Sequence, residues 1–573
     1  MKTKNILFTT IFAAGMLGLS SCIGDLDVLP LDSTVNTADK AYKTKEDYDK
    51  GLAKLYAIWA MSGQDGASNS DIELGDQGNT TLVRSFWLCQ EQPTDEMKNA
   101  ENKDWTTPFN FMTWGTSRTE PTEAVYQRCM YIVALVNDYL KQLPNAPEEI
   151  DKVNYEAQAR FCRALSYYTL MDVYGNPPFI TEANYSLQPE QIKAEDLFPW
   201  IETELKWVIE NGNLPERQTG ADRGRADKGS AWSLLARMYL NAETYTGKAY
   251  YKECINACKQ VFGMGYELAN EYHALFCGDN TENQDAANEI IFPVLLDGDA
   301  TQTWANLIST SRPAEATTEI EEDKSAEGGK RKVEFFFNNW GTREGWGQYR
   351  AAGQLIDFFE FKDGIKGMDN LKDRRGMFRD MTFNKEKPLS QYIQNNPIGT
   401  FNTDGWWVFK YSNLKHDGTP LDIYPEPMSA CFVSTDFPLI RLGDVYLIFA
   451  EAVARENDTQ NMAEAVEKVN LLRRRGNVSD IDEDWLKATA CVGGSSKSVP
   501  FGNILNERTR ELYWEGHRRT DLIRFGLFTS AEYVWDWKGG VQSGTGVNDR
   551  YNLYPIPLTD LTSNGNLKQN EGY

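Results

Sequence analysis

A chain of 573 residues with a formal charge of −24 is a poor ligand for nucleic acid and for anionic lipid, since both require a basic footprint. Its 41% hydrophobic and 12% aromatic content supplies a large core, and the length allows two or three domains. Three histidines are present, and no H-E-x-x-H, P-loop, nucleophile elbow or dinucleotide fingerprint occurs. A glycoside hydrolase needs only two suitably spaced carboxylates, which 83 acidic residues leave open.

The N-terminus reads as a targeting segment. Lys2 and Lys4 precede the apolar run Ile6–Leu19, which has the length of a signal-peptide core and is too short to span a bilayer. Leu19-Ser-Ser-Cys22 has the form of a bacterial lipobox. Residues 1–21 are then a signal peptide, Cys22 the acylated first residue of the mature chain, and residues 22–43 a tether. Several acyl chains on one cysteine give a stable anchor. Cys129, Cys162, Cys254 and Cys258 fall within apparent helices and read as small core residues; no C-x-x-C pair is present.

A first helix is predicted over Thr44–Met61, with Ala53, Tyr56, Ala57 and Ala60 as its buried stripe. Ser62–Thr81 is rich in Gly, Asp, Ser and Asn, a long loop of the kind that is often functional. Thr94-Asp-Glu96 opens a further irregular stretch holding Trp105 and Trp114. Long helices follow over Glu120–Gln142 and Pro147–Val173. Ala157, Phe161, Ala164, Leu165 and Tyr168 share one face of the second, which Gly175-Asn-Pro-Pro178 ends. Lys193–Glu210 is the next helix. Lys228–Asn241 and Lys248–Phe262 form an antiparallel hairpin, because the link between them is short. Leu439–Arg455 and Ala463–Arg475 form a second pair, with Gly476 as a C-cap. Each pair is close in length to a tetratricopeptide unit, and such hairpins bury their stripes only by stacking. Between the pairs, residues 263–438 are dense in Gly, Asn, Asp and aromatics, with short strand-like runs at Glu289–Leu296 and Trp406–Lys410.

The stretch Asn503–Gly526, NILNERTRELYWEGHRRTDLIRFG, carries the densest charge. Leu505, Leu512 and Tyr513 fall on one helical face. So many arginines and acids suit either an active site or a charged brace beneath an irregular surface, and the brace is the reading adopted. The stretch resembles the C-terminal signature of the SusD/RagB family of outer-membrane glycan-binding lipoproteins. Phe437-Pro-Leu-Ile-Arg-Leu-Gly-Asp444, Asn470-Leu-Leu-Arg-Arg-Arg-Gly476, Leu553-Tyr-Pro-Ile-Pro557 and the ending Gln569-Asn-Glu-Gly-Tyr573 resemble it too. Val534-Trp-Asp-Trp-Lys-Gly-Gly540 is similar to the starch-binding branch. The resemblance implies a mainly α fold: a tetratricopeptide-like scaffold over 44–262 and 439–526, and a loop-rich glycan-facing insertion over 263–438. Both belong to a single unit spanning 44–573.

A sugar ring presents a flat C–H face that a Trp or Tyr ring covers at low entropic cost. Exposed loop aromatics with polar neighbours are therefore the candidates. Trp304 in Ala300-Thr-Gln-Thr-Trp-Ala-Asn306 and Trp346 in Arg343-Glu-Gly-Trp-Gly-Gln-Tyr349 fit. Asp76 and Arg84, in and just after the Gly-rich loop, are candidate rim partners. The family's starch-binding members use three aromatics with an arginine, and the resemblance carries two rings to Trp304 and Trp346 and the arginine to Arg84. The third ring would follow Pro93-Thr-Asp-Glu96, where this chain has Met97-Lys-Asn-Ala-Glu-Asn102. Trp105 is the nearest substitute. Trp406, Trp407, Trp535 and Trp537 read as structural.

Asp279, Thr281, Asn283 and Asp285 alternate as oxygen ligands for calcium would, and equally as a solvated turn would. No cofactor is required. The resemblance implies a non-catalytic, lipid-anchored protein of the outer-membrane surface. It would capture a polysaccharide or oligosaccharide of the starch or α-glucan kind and pass it to a SusC-like TonB-dependent transporter. Peptide capture of the RagB type and a pure transporter lid are the alternatives.

Overall fold

The structure, a computed structural model, describes residues 41–100, 103–117, 119–305, 307–311, 334, 336–362, 370–379 and 406–573. The expected signal peptide, the expected lipidation site Cys22 and the expected tether up to residue 40 lie outside the described residues.

Helix α1, Lys45–Ala57, begins at a capping box in which the Thr44 hydroxyl accepts from the Asp47 N–H and the Asp47 carboxylate accepts from the Thr44 N–H. Its buried residues are Tyr48, Leu52 and Leu55. The stripe expected from the sequence is buried only at Ala60: Ala53 is exposed, and Tyr56 and Ala57 are half-buried. Small and amphipathic residues fit both faces, so periodicity alone chose wrongly. After α2 (Leu82–Glu91) and α3 (Thr106–Phe111), the helices α4 (Glu120–Gln142), α5 (Lys152–Tyr174) and α6 (Ala194–Asn211) pack in sequence, α4 on α5 and α5 on α6. The α5 stripe is buried throughout. Asp151 caps its start, so Pro147–Asp151 is not helical. Gly175 ends it at φ 73°, where an added Cβ would lie 2.8 Å from Leu553. The next hairpin is α7 (Lys228–Leu240) against α8 (Tyr251–Phe262). Cys254 and Cys258 are core residues, as expected; burial raises the Cys258 thiol well above its usual range.

The second pair is α9 (Leu442–Glu456) and α10 (Met462–Arg475), with α8 packed on α9. The expected helix at Leu439 begins three residues later. Phe437–Arg441 instead forms a strand, antiparallel to Ile290–Val294, with Ile290 opposite Arg441 and a bulge on the way. This ladder closes the insertion onto the scaffold. Further two-stranded ladders pair Met97–Asn99 with Tyr349–Ala351, and Phe378–Arg379 with Trp407–Val408. Gly476 is not a left-handed cap; its φ is −69°, and Asn477 takes the left-handed turn at φ 61°. Glycine is needed at 476 because an added Cβ would lie 2.7 Å from Arg375 Nε. One hydrophobic core runs through scaffold and insertion alike, with a small satellite of Phe337, Tyr424 and Ala430.

Asn503–Gly526 is two helices, α11 (Gly502–Leu512) and α12 (Arg518–Arg524). Trp514 at φ 61° and Gly516 at φ 84° turn the chain between them. The charged side chains are internal. Arg441 donates to Glu289 at 2.8 Å, to Glu511 at 2.7 Å and to both oxygens of Glu515 at 2.6 and 2.8 Å. Arg375, in the insertion, reaches Glu507 at 2.8 Å and Glu511 at 3.1 Å. Lys410 meets Glu515 at 2.6 Å. Arg508 joins Asp521 to Asp444, and Arg518 clasps Asp95 at 2.6 Å. Burial alone would raise these acids. Arg375, Arg510 and Arg473 nevertheless hold Glu507 at about 2, and Arg508 and Arg524 hold Asp521 at about 2. The brace reading is correct, and every acid in it is buried.

Two outcomes follow. Arg441→Met leaves three buried carboxylates short of a cation, which costs about 3–5 kcal/mol and lowers the urea midpoint without altering the ligand-facing loops. The pH profile is the second. Burial raises Glu91 and Asp436 to about 7, above their ordinary 4.5 and 3.8, so folding takes up protons and stability rises as pH falls through that window. His517, which burial lowers from 6.5 to about 4, opposes this, while Glu96, Asp227 and Asp536, also raised by burial, add to it. Lys98 and Lys538, lowered by burial to about 7, act above that range. Nearer pH 2 the brace acids protonate in the folded chain and stability is lost. Calorimetry should give a higher Tm at about pH 5 than at about pH 6.5, and Glu91→Gln should flatten the difference.

Candidate functional site

Three irregular segments converge beside α2. The segment 301–305 is tied down where the Thr303 hydroxyl donates to the Ala60 carbonyl at 2.7 Å. Arg84, on α2, then donates to the Trp304 carbonyl at 3.1 Å, to the Tyr349 hydroxyl at 2.7 Å and to Gln348 Oε1 at 2.7 Å. One guanidinium thus holds the backbone of the first segment and the side chains that follow Trp346. Gly78 allows this approach, because an added Cβ would lie 2.7 Å from Arg84 Nη1 and 3.0 Å from the Trp304 carbonyl. The Trp346 N–H donates to the Ser309 carbonyl at 2.6 Å. The third segment is fixed by Tyr424, whose hydroxyl donates to the Phe432 carbonyl at 2.8 Å.

The outcome is a cluster of three half-buried rings, Trp346, Trp304 and Phe432. The Trp304 and Trp346 centroids are 6.0 Å apart with planes at 47°, and those of Trp304 and Phe432 are 4.8 Å apart at 59°. Each ring keeps solvent-accessible area while its backbone is pinned, an arrangement that preserves a stacking surface at little entropic cost. The neighbouring polar groups are Asp76, paired with Lys103 at 2.7 Å, and Arg343 beside Glu344 at 3.3 Å. Burial pushes the Asp76 carboxyl up, but Lys103 and the Asn79 N–H outweigh it and hold the acid below its ordinary value.

Trp304 and Trp346 are thus brought together as the sequence predicts. Arg84 is not a rim partner: it is 2% exposed and acts as a clamp behind the rings. Trp105 is not a substitute platform either. It is 7% exposed and packs edge-on against Phe109 at 6.0 Å, at the start of a helix that turns it into the core. Met97 is fully buried in the strand paired with Tyr349–Ala351, so no ring is presented there. Phe432 was missed. Its signal was available, an aromatic in a loop segment beside Ser429 and Ser434, the same context that singled out Trp304. Trp406, Trp407 and Trp535 are buried.

The four alternating oxygens each take a partner of their own. Asp279 pairs with His416 Nδ1 at 2.7 Å and accepts from its N–H at 2.9 Å. The Thr281 hydroxyl donates to Asp436. Asn283 caps a short helix by accepting from the Asp285 N–H, and Asp285 accepts from Asn270. Among the described residues no group of three or more His, Cys, Asp or Glu is arranged to hold a metal ion.

Comparison with known proteins agrees with this architecture. Residues 288–573 match the model of the SusD family, and residues 36–240 match a model described as starch-binding associating with outer membrane. The starch-binding protein SusD of Bacteroides thetaiotaomicron is 33% identical, with all of both chains covered. A solved SusD-like protein from Bacteroides fragilis superposes with TM-score 0.63 at 20% identity, covering 95% of this chain and 100% of that one. Surface glycan-binding protein A from Bacteroides thetaiotaomicron, in complex with laminarihexaose, superposes with TM-score 0.63 at 17% identity, covering 92% of this chain and 100% of that one. The signature around α11 and α12, the helical scaffold and full-length identity to SusD together establish that this chain belongs to the SusD family.

Proposed function

We propose that this protein is a non-catalytic surface protein of the outer membrane, anchored by lipid on Cys22, that captures glucan chains on Trp304, Trp346 and Phe432. It then hands them to a SusC-like TonB-dependent transporter. The observation that carries the reading is the tilt of three half-buried rings on anchored backbone, the Trp304 and Trp346 segments held by buried Arg84 and Phe432 by Tyr424. A flat ribbon of sugars rests on coplanar rings, whereas a chain that curves presents its faces at successive angles. Rings turned by 47° and 59° suit the curved chain, and the full-length relative named for starch binding supports an α-glucan. Asp76, Lys103 and Arg343 are then the groups that hydrogen-bond ring hydroxyls.

Two measurements test this. In an amylopectin affinity gel, Trp304→Ala, Trp346→Ala and Phe432→Ala should each lose retention. Truncating a central aromatic contact costs about 2 kcal/mol, roughly thirtyfold in Kd, while Tm stays nearly unchanged. Wild-type retention in all three would refute the site. The second uses Cys431, half-buried beside Phe432, and Cys491, exposed on a distant hairpin. Saturating maltooligosaccharide should slow maleimide labelling of Cys431 and leave Cys491 unaffected; equal protection of both, or of neither, speaks against the placement.

A further inference from the structure

The outward face of α1 has a second use. Ala53, Tyr56 and Ala57 face the strand Ile290–Val294 and the turn 221–225 across a cavity of about 220 Å³, while the Tyr56 hydroxyl reaches back to Gln158 on α5 at 3.2 Å. Tyr56, Trp59 and Phe292 line it with exposed Leu295, and Arg223 and Arg225 stand half-exposed on either side of Gly224. An apolar cavity of about 150 Å³ accommodates benzene, so this one takes a ring with a short side arm. Gly224, at φ 89°, permits the shape: an added Cβ there would lie 2.6 Å from Leu295 Cδ1.

The Trp59 indole and the two guanidinium groups of the lining have donors to spare, whereas the Tyr56 and Thr301 hydroxyls are already paired with Gln158 and Asp297. The Trp59 indole N–H is buried and meets no acceptor among the described residues, which is costly unless a ligand supplies one. Arg223 donates to the Ala287 carbonyl at 2.6 Å, and Arg225 lies 3.6 Å from Asp222; a guanidinium carries five N–H donors. Burial and the neighbouring Arg217 lower the Arg223 pKa, a penalty that an anion at the mouth relieves. In a chain of charge −24, two arginines at the edge of an apolar cavity are a local reversal of sign.

We propose that this cavity is a binding site for a small monocarboxylate with an apolar body about one aromatic ring in size, separate from the three-ring cluster. The ring lies against Phe292 and Leu295, and the carboxylate takes donors from Arg223 and Arg225. The site also adjoins the sugar-facing loop, since Thr301 lines it and Thr303 is bonded to Ala60, next to Trp59.

Calorimetric titration of the full chain with 3-phenylpropionate tests this, with 3-phenylpropanol and propionate as probes lacking the charge and the ring. One saturable site is expected for the acid, at least tenfold weaker binding for the alcohol, and none for propionate. Ala57→Phe should fill the cavity and abolish binding, Arg225→Gln should weaken it about tenfold, and Trp346→Ala should leave it unchanged. Circular dichroism melting checks that Ala57→Phe folds, and Arg225→Gln, a half-exposed change, tests the site independently of it. No saturable heat with the acid, equal affinity for acid and alcohol, or wild-type affinity in both Ala57→Phe and Arg225→Gln would overturn the assignment. Loss of binding in Trp346→Ala would overturn its separateness.

Discussion

Arg441 stands where every large part of the molecule meets. It ends the strand that closes the insertion, precedes α9, and binds Glu289 from the insertion with Glu511 from α11 and Glu515 from the turn after it. A buried charge network of this kind is a weak source of net stability, because desolvating the ions offsets most of their attraction. Its effect is on arrangement. Removing any one member strands its partners, so alternative packings of these helices and loops are heavily penalised. Arg375 carries this network into the insertion, and separate buried pairs tie Arg518 to Asp95 and Arg524 to Glu451, so that segments far apart in sequence are joined.

The rings depend on that rigidity at one remove. The insertion has few and short strands, and loops without regular structure ordinarily pay heavily in entropy to hold a side chain still. Here the backbone on each side of the rings is anchored by a polar side chain. Arg84 grips Trp304 and the Tyr349 strand, Thr303 grips Ala60, and Tyr424 grips Phe432. The result is a surface of stacking groups with little freedom left to lose on binding, which is the preorganisation that a shallow site needs. The same loop has the apolar cavity on its other side, so the scaffold face of α1 and the ring cluster share one wall.

Long periodic helices were legible from residues alone. Glu120–Gln142 has the boundaries the pattern predicts, and the α5 stripe is the buried one, because a long helix with one apolar face has few ways to pack. Short or ambiguous elements were not. Leu439–Arg441 has a helical pattern but pairs as a strand, since the partner ladder from Ile290 is supplied by residues far away. Part of the α1 stripe failed because alanines carry little burial preference, and the break within Asn503–Gly526 could not be read locally because the left-handed turns at Trp514 and Gly516 are stabilised by contacts with Glu91 and Glu96.

The candidate site divides in the same way. Residue type and loop context identify Trp304 and Trp346, because an aromatic in a polar loop has few structural reasons to be there. By itself the sequence determined the helical scaffold, the charged brace and two of the three rings, all properties of local pattern and side-chain chemistry. Tertiary structure decided that Arg84 turns inward, that Trp105 joins the core and that Phe432, some 130 residues from Trp304 in the chain, completes the cluster. Those outcomes depend on which distant backbone groups arrive alongside, and no local pattern encodes that.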